Sequence, residues 1–137
     1  MGRHRSPRPT DAELSILTVL WRRGPSTVRE VHEELSREKA TGYTTVLKFL
    51  QIMTEKELVT RDESRRSHVY AARHPEESTQ QLMVRDLLQR AFSGSMAELF
   101  RQALALGTMS AEEADDIRKL LEANQSEQAH VRNSAGV

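Results

Sequence analysis

Four of the chain's Ser/Thr-x-x-Glu tetrads stand ahead of apolar runs and read as helix starts: Thr10 to Glu13, Thr27 to Glu30, Ser95 to Glu98 and Ser110 to Glu113. In each the hydroxyl is spaced to accept from the N–H three residues on, and the Glu to reach back to the capping residue. A chain marked in this way must break into short helices that begin at fixed places. The first runs from Thr10 to the Gly24-Pro25 break, with Leu14, Leu17, Leu20 and Trp21 on its apolar arc. Asp11, Ser15, Thr18 and Arg22 form its wet stripe, and Trp21 is assigned to the core. The second begins at Thr27 and buries Val28, Val31 and Leu35. A polar loop over 36–42 leads to a third helix from Thr44 to Glu57, capped by Thr41 or Gly42, with Val46, Phe49, Leu50 and Met53 inward.

Leu58-Val59-Thr60 and His68-Val69-Tyr70-Ala71 then flank a charged turn, Asp62-Glu63-Ser64-Arg65-Arg66, which reads as a β-hairpin. Three short helices followed by a hairpin make a winged helix-turn-helix. The fold expected is mainly α with one small β-hairpin: a winged helix over 10–74 and a helical module over 75–124. Residues 1–9 read as a flexible basic arm, and 125–137, polar and aperiodic, as a disordered tail.

In the C-terminal module, residues 74–78 read as a linker. Met83, Leu87, Leu88 and Phe92 then share one helical arc, which Ser93-Gly94 breaks. Leu99 and Phe100 belong to a helix ending at Gly107, and Ile117, Leu120 and Leu121 to the next. Three helices in about 50 residues cannot bury their apolar faces among themselves, so pairing with a second copy completes the core. The alternative is a cap folded over the winged helix of the same chain.

Composition narrows the function. The 137 residues include no Cys, which excludes disulfide scaffolds and thiolate metal sites. His4, His32, His68, His74 and His130 lack metal-ligand spacing, and no phosphate-cradling Gly-rich loop or nucleophile elbow occurs. His32 reads as a solvated polar residue on a Glu-rich helix. No enzyme activity, metal or cofactor is expected. No apolar stretch nears the ~20 residues of a membrane span, and the basic, Pro-broken N-terminus is not a secretory signal, so the expected location is the cytoplasm. The net charge is zero, but residues 1–75 carry 14 Lys/Arg against 10 Asp/Glu and residues 76–137 carry 6 against 10. That asymmetry turns the N-terminal half toward a polyanion.

Double-stranded DNA fits the third helix. Thr44 and Thr45 lie in its first turn, where hydroxyls and free N–H groups meet base edges and phosphate. Lys48 and Gln51 continue that face, and Arg65 and Arg66 at the hairpin tip are set for backbone or minor groove. The alternatives are capping roles for Thr44 and Thr45, a solvated Lys48, and a plain solvated turn. Tyr43 either stacks on sugar-phosphate or leans onto the core. A winged helix used as a protein-interaction module is the competing class; the carboxylate-poor first two turns of the third helix favour DNA.

The strings PTDAELSILTVLWRRGPSTVREVHEEL, GYTTVLKFLQIMTEKELVTR and RRSHVYAAR resemble the penicillinase-repressor (BlaI/MecI/CopY) family, with similarity from Thr10 to about Leu121. The resemblance implies a dimeric winged-helix repressor that binds an inverted-repeat operator and dimerises through three C-terminal helices. The family's copper-responsive branch carries a C-terminal Cys cluster that this chain lacks. Its antibiotic-responsive branch implies a membrane sensor protease system and cleavage in the fifth helix, at the bond that aligns with Gln102-Ala103. Release by an unidentified effector is the alternative.

Overall fold

The computed structural model describes residues 8–135. Nine elements follow in chain order: α1 (Asp11–Arg23), β1 (Ser26–Thr27), α2 (Val28–Ser36), α3 (Tyr43–Glu55), β2 (Val59–Asp62), β3 (Val69–Ala72), α4 (Glu76–Ala91), α5 (Met96–Ala105) and α6 (Ala111–Ala135). The chain divides into two compact units, 1–90 and 91–137.

Both N-terminal capping boxes close in full. Thr10 Oγ1 accepts from the Glu13 N–H at 3.2 Å while the Thr10 N–H donates to Glu13 Oε1 at 3.0 Å; Thr27 and Glu30 repeat the pattern at 3.2 and 2.9 Å. At the C-terminal pair only the hydroxyl half forms. Ser95 accepts from Glu98 N–H and Ser110 from Glu113 N–H, both at 3.0 Å. Glu98 instead accepts from Arg101 and Gln102 one turn on.

The hairpin is part of a three-stranded antiparallel sheet ordered β1-β3-β2. Tyr70 pairs with Ser26 on one side and Arg61 on the other. β1 is absent from the sequence reading because two residues carry no period. Ser26 and Thr27 become a strand only when β3 lies alongside.

The core lies inside the winged helix. Ile16, Leu17, Val19 and Leu20 of α1 meet Val31 of α2, Val46, Leu50 and Met53 of α3, and Leu58, Val59 and Tyr70 of the hairpin. Trp21 packs against this cluster rather than within it, and its Nε1–H donates to the His74 carbonyl at 3.0 Å. α3 ends two residues before its expected limit. The Leu58 N–H bonds the Met53 carbonyl at 2.9 Å and the Glu57 N–H bonds that of Thr54 at 3.1 Å. This is a Schellman cap with Glu57 at φ 63° in the position glycine normally takes.

Three expected boundaries are corrected. The reading of 74–78 as a linker fails because Pro75 heads α4: its carbonyl accepts from the Ser78 and Thr79 N–H groups, and Thr79 is buried. α4 therefore groups with the winged helix, and the division between units falls after Arg90 rather than at 74. The proposed arm is tied down at its end, where Pro9 is buried and Arg8 Nε pairs with Asp86 Oδ2 at 2.9 Å; residues 1–7 of that arm lie outside the described residues. The tail expected to be disordered from 125 instead continues α6 to Ala135. Its Ala, Gln, Glu and Arg content and its lack of Gly or Pro up to Ala135 let a helix propagate without an apolar stripe.

Candidate nucleic-acid interface

Burial divides α3 into two faces. Val46, Leu50 and Met53 are wholly inaccessible, which fixes the helix's rotation against the core. Thr44, Thr45, Lys48 and Gln51 are exposed on the other side, as the periodicity predicts. Ile52 joins them at 38% exposure, an apolar contact on this face that the sequence reading passed over. Tyr43 is the first residue of α3 rather than its predecessor. It stands outside the core at 48% exposure, so of its two expected placements the inward one is not adopted.

Gly42 is the N-cap of α3, and no side chain caps the helix there. Thr41, the other candidate, donates its hydroxyl to the Lys39 carbonyl at 2.9 Å instead. The first turn of α3 thus carries no carboxylate, and no side chain occupies its N–H groups from the cap position.

At the wing tip the Ser64 N–H donates to Asp62 Oδ1 at 2.9 Å, an Asx turn that shapes the loop. Hydrogen bonds from the Ser64 side chain and backbone hold the Asp62 carboxyl below its ordinary value, with a smaller contribution from the Arg65 charge. Arg61 is engaged within the wing: its hydrogen bonds with Tyr70 and with Glu63 (2.8 Å) raise its already high pKa. Arg65 and Arg66 are exposed beyond it.

Two side chains carry more than the sequence reading gave them. Glu13, read as a capping residue, is buried and accepts Lys56 Nζ at 2.8 and 2.9 Å. Burial alone would raise its pKa, but hydrogen bonds from Lys56 and Thr10 and the Lys56 charge together hold it below 4.5. This pair ties the start of α1 to the end of α3. His32, read as solvated, is half-buried with Nε2 2.7 Å from the Thr41 carbonyl.

The remaining candidate residues lie on α4, α5 and α6. Met83, Leu88, Phe92, Leu99 and Ile117 are half-buried, whereas Leu87 (40%), Phe100 (37%), Leu120 (69%) and Leu121 (56%) are exposed. Gln102 is exposed and Ala103 half-buried within α5. Among the described residues no group of three His, Cys, Asp or Glu side chains is placed to hold a metal ion, and no helix is long and apolar enough to cross a membrane.

A helix with one face locked into a three-helix core and the other polar and open, followed by a basic-tipped hairpin, defines a winged helix-turn-helix protein. The penicillinase repressor family matches residues 9–123, and the chain belongs to that family. Its members are DNA-binding transcriptional regulators and not enzymes. The transcriptional regulator BlaI of Mycobacterium tuberculosis is 40% identical over 116 residues, spanning 81% of this chain and 80% of that one. The penicillinase repressor of Bacillus licheniformis is 23% identical over 120 residues, 88% and 94% of the respective chains. A solved structure of Bacillus licheniformis BlaI in monomeric form, in complex with the blaP half-operator, is 26% identical, with a TM-score of 0.47 over 53% of this chain and 89% of that one.

Proposed function

We propose that this chain is a homodimeric repressor that occupies an inverted-repeat operator in double-stranded DNA in the cytoplasm. The observation that carries this reading is the division of α3. Its buried side leaves Thr44, Thr45, Lys48 and Gln51 as a carboxylate-free face that runs from the first turn into the third. The threonine hydroxyls and the Gln51 amide suit base edges, and Lys48, Arg65 and Arg66 suit phosphates. Dimerisation is supported by the exposed apolar side chains of α4, α5 and α6, which a second copy would cover. A dimer fixes two reading helices about one DNA turn, or a multiple of it, apart.

Footprinting on the chain's own upstream region at about 0.15 M salt is the direct test. A protected site with dyad symmetry is expected, and protection no better than on random DNA would reject the reading. Lys48→Ala should also flatten the salt dependence of operator binding by roughly one unit of slope.

Repression would end by proteolysis in α5 through a membrane sensor protease system. Cutting α5 near its middle, where the family's cleavage site aligns with Gln102-Ala103, would separate Leu99 and Phe100 from Leu104, and half-site binders released from their dimer lose most of their joint affinity. Blotting cells treated with a β-lactam reads this out. A full-length, undiminished band while the target genes are on would instead indicate release by another effector.

A further inference from the structure

The first turn of α3 has no side-chain cap of its own, because Gly42 occupies the cap position. What holds this end comes from α2. His32 Nε2 lies 2.7 Å from the carbonyl of Thr41, the residue before the cap. A carbonyl only accepts, so Nε2 carries the proton and donates. The same imidazole meets the Tyr43 ring edge to face, with centroids 5.8 Å apart and planes at 74°, inside the favourable range for aromatic pairs. One half-buried side chain therefore grips the backbone on one side of Gly42 and the aromatic ring on the other. The Tyr43 ring it braces is 48% exposed, at the end of the helix from which Thr44 and Thr45 project.

We infer that His32 is a positioning residue for operator readout. It fixes where the reading helix begins and holds the Tyr43 ring ready to lie against the sugar-phosphate backbone, without touching DNA itself. The inference rests on the DNA-binding reading above and assigns it a residue on α2. Prior fixing of the ring and the first turn removes ordering that binding would otherwise have to supply. Contacts to base edges depend on that registration, whereas attraction to random DNA depends on charge alone. Loss of His32 should therefore be felt in specificity.

The test uses the full chain with His32→Ala, His32→Asn and His32→Gln. The Gln amide reaches about as far as Nε2 and can donate to the Thr41 carbonyl; the Asn amide is too short. His32→Ala and His32→Asn should weaken binding to the footprinted operator by about tenfold, the scale of one hydrogen bond and one aromatic contact. Their affinity for random DNA should stay within about twofold of the parent, since the phosphate-facing cations are intact. His32→Gln should recover the hydrogen-bond share of the loss, about threefold, and leave the aromatic share unrestored. Amide hydrogen exchange at Val46, whose N–H donates to the Gly42 carbonyl at 3.1 Å, should speed up without DNA in the Ala and Asn variants and not in the Gln variant. If His32→Ala does not fold, His32→Asn carries the comparison.

Unchanged operator binding in both short variants, equal losses on operator and random DNA, or a Gln variant no better than Ala would each overturn the positioning role. If the parent chain itself prefers no dyad site, the DNA-binding reading fails first. The exchange data then show separately whether His32 holds the start of α3.

Discussion

Every buried apolar residue with a place in the core lies between Ile16 and Tyr70, whereas none of residues 91–132 is buried. Both regions contain amphipathic helices begun by the same Ser/Thr-x-x-Glu signal, α1 and α2 in the first and α5 and α6 in the second. They differ in what the apolar stripes meet. In the winged helix three stripes and a small sheet converge, and six apolar side chains from Ile16 to Val59 are at most 1% exposed. In α5 and α6, Leu104 is 50% exposed and Leu120 69%. Amphipathic patterning thus says which face is to be buried, and only the number of converging elements decides whether one chain can bury it.

The largest effect expected from this contrast is on assembly. Leu87→Asp would place one carboxylate per protomer in the proposed seam, each costing on the order of 3 kcal/mol when left unpaired there. Sedimentation should show a monomer at concentrations where the parent is a dimer. A dimer of unchanged affinity would move the interface off α4.

Next comes packing within the first region. Leu50→Ala should lower the unfolding free energy by about 3–4 kcal/mol, because the void it leaves is walled by a fully enclosed core. In contrast, Leu104→Ala in isolated monomer should change the winged helix's unfolding by no more than about 0.5 kcal/mol. Similar losses in urea titrations of both would erase the distinction between the regions.

The Glu13–Lys56 pair sharpens the comparison, since ion pairs in the second unit, such as Arg118 with Asp115, are on exposed surface. Glu13→Gln should cost about 2–3 kcal/mol, below the roughly 3–5 kcal/mol of a fully buried pair because the Lys56 side chain is 28% exposed. The folded-state pKa of Glu13 is depressed, so its contribution is complete above the ordinary value of 4.5. It disappears as pH falls through the depressed folded-state value. Melting curves of parent and variant should accordingly stand apart at pH 7 and draw together in acid; a gap that widens in acid would refute the ion-pair account.

The smallest effect is a gain. Glu57 holds a left-handed conformation at the end of α3, and its side chain is exposed, with Arg73 3.6 Å away. Glu57→Gly should raise stability by about 0.5–1 kcal/mol by removing the Cβ penalty, visible as a higher denaturation midpoint at constant slope. A loss would mean that the Arg73 contact outweighs the backbone strain.

Much of the molecule was written locally. The capping tetrads and the breaks at Gly24-Pro25 and Ser93-Gly94 set the helix limits, and the spacing of Val46, Leu50 and Met53 exposed Thr44, Thr45, Lys48 and Gln51 on the face opposite. These features are legible because a helix is governed by residues at most four apart. Tertiary structure decided what depends on distant neighbours. β1 exists because β3 pairs with it, and Glu13 becomes a buried anion because Lys56 arrives from 43 positions away. α4 joins the winged helix through Thr79 and the Arg8–Asp86 pair, where composition suggested a linker. His32 looked like one more polar residue on a charged helix until folding brought the Thr41 carbonyl and the Tyr43 ring to it. A pattern in sequence records which side of an element avoids water; a partner for a buried proton donor or charge is supplied only when the chain closes on itself.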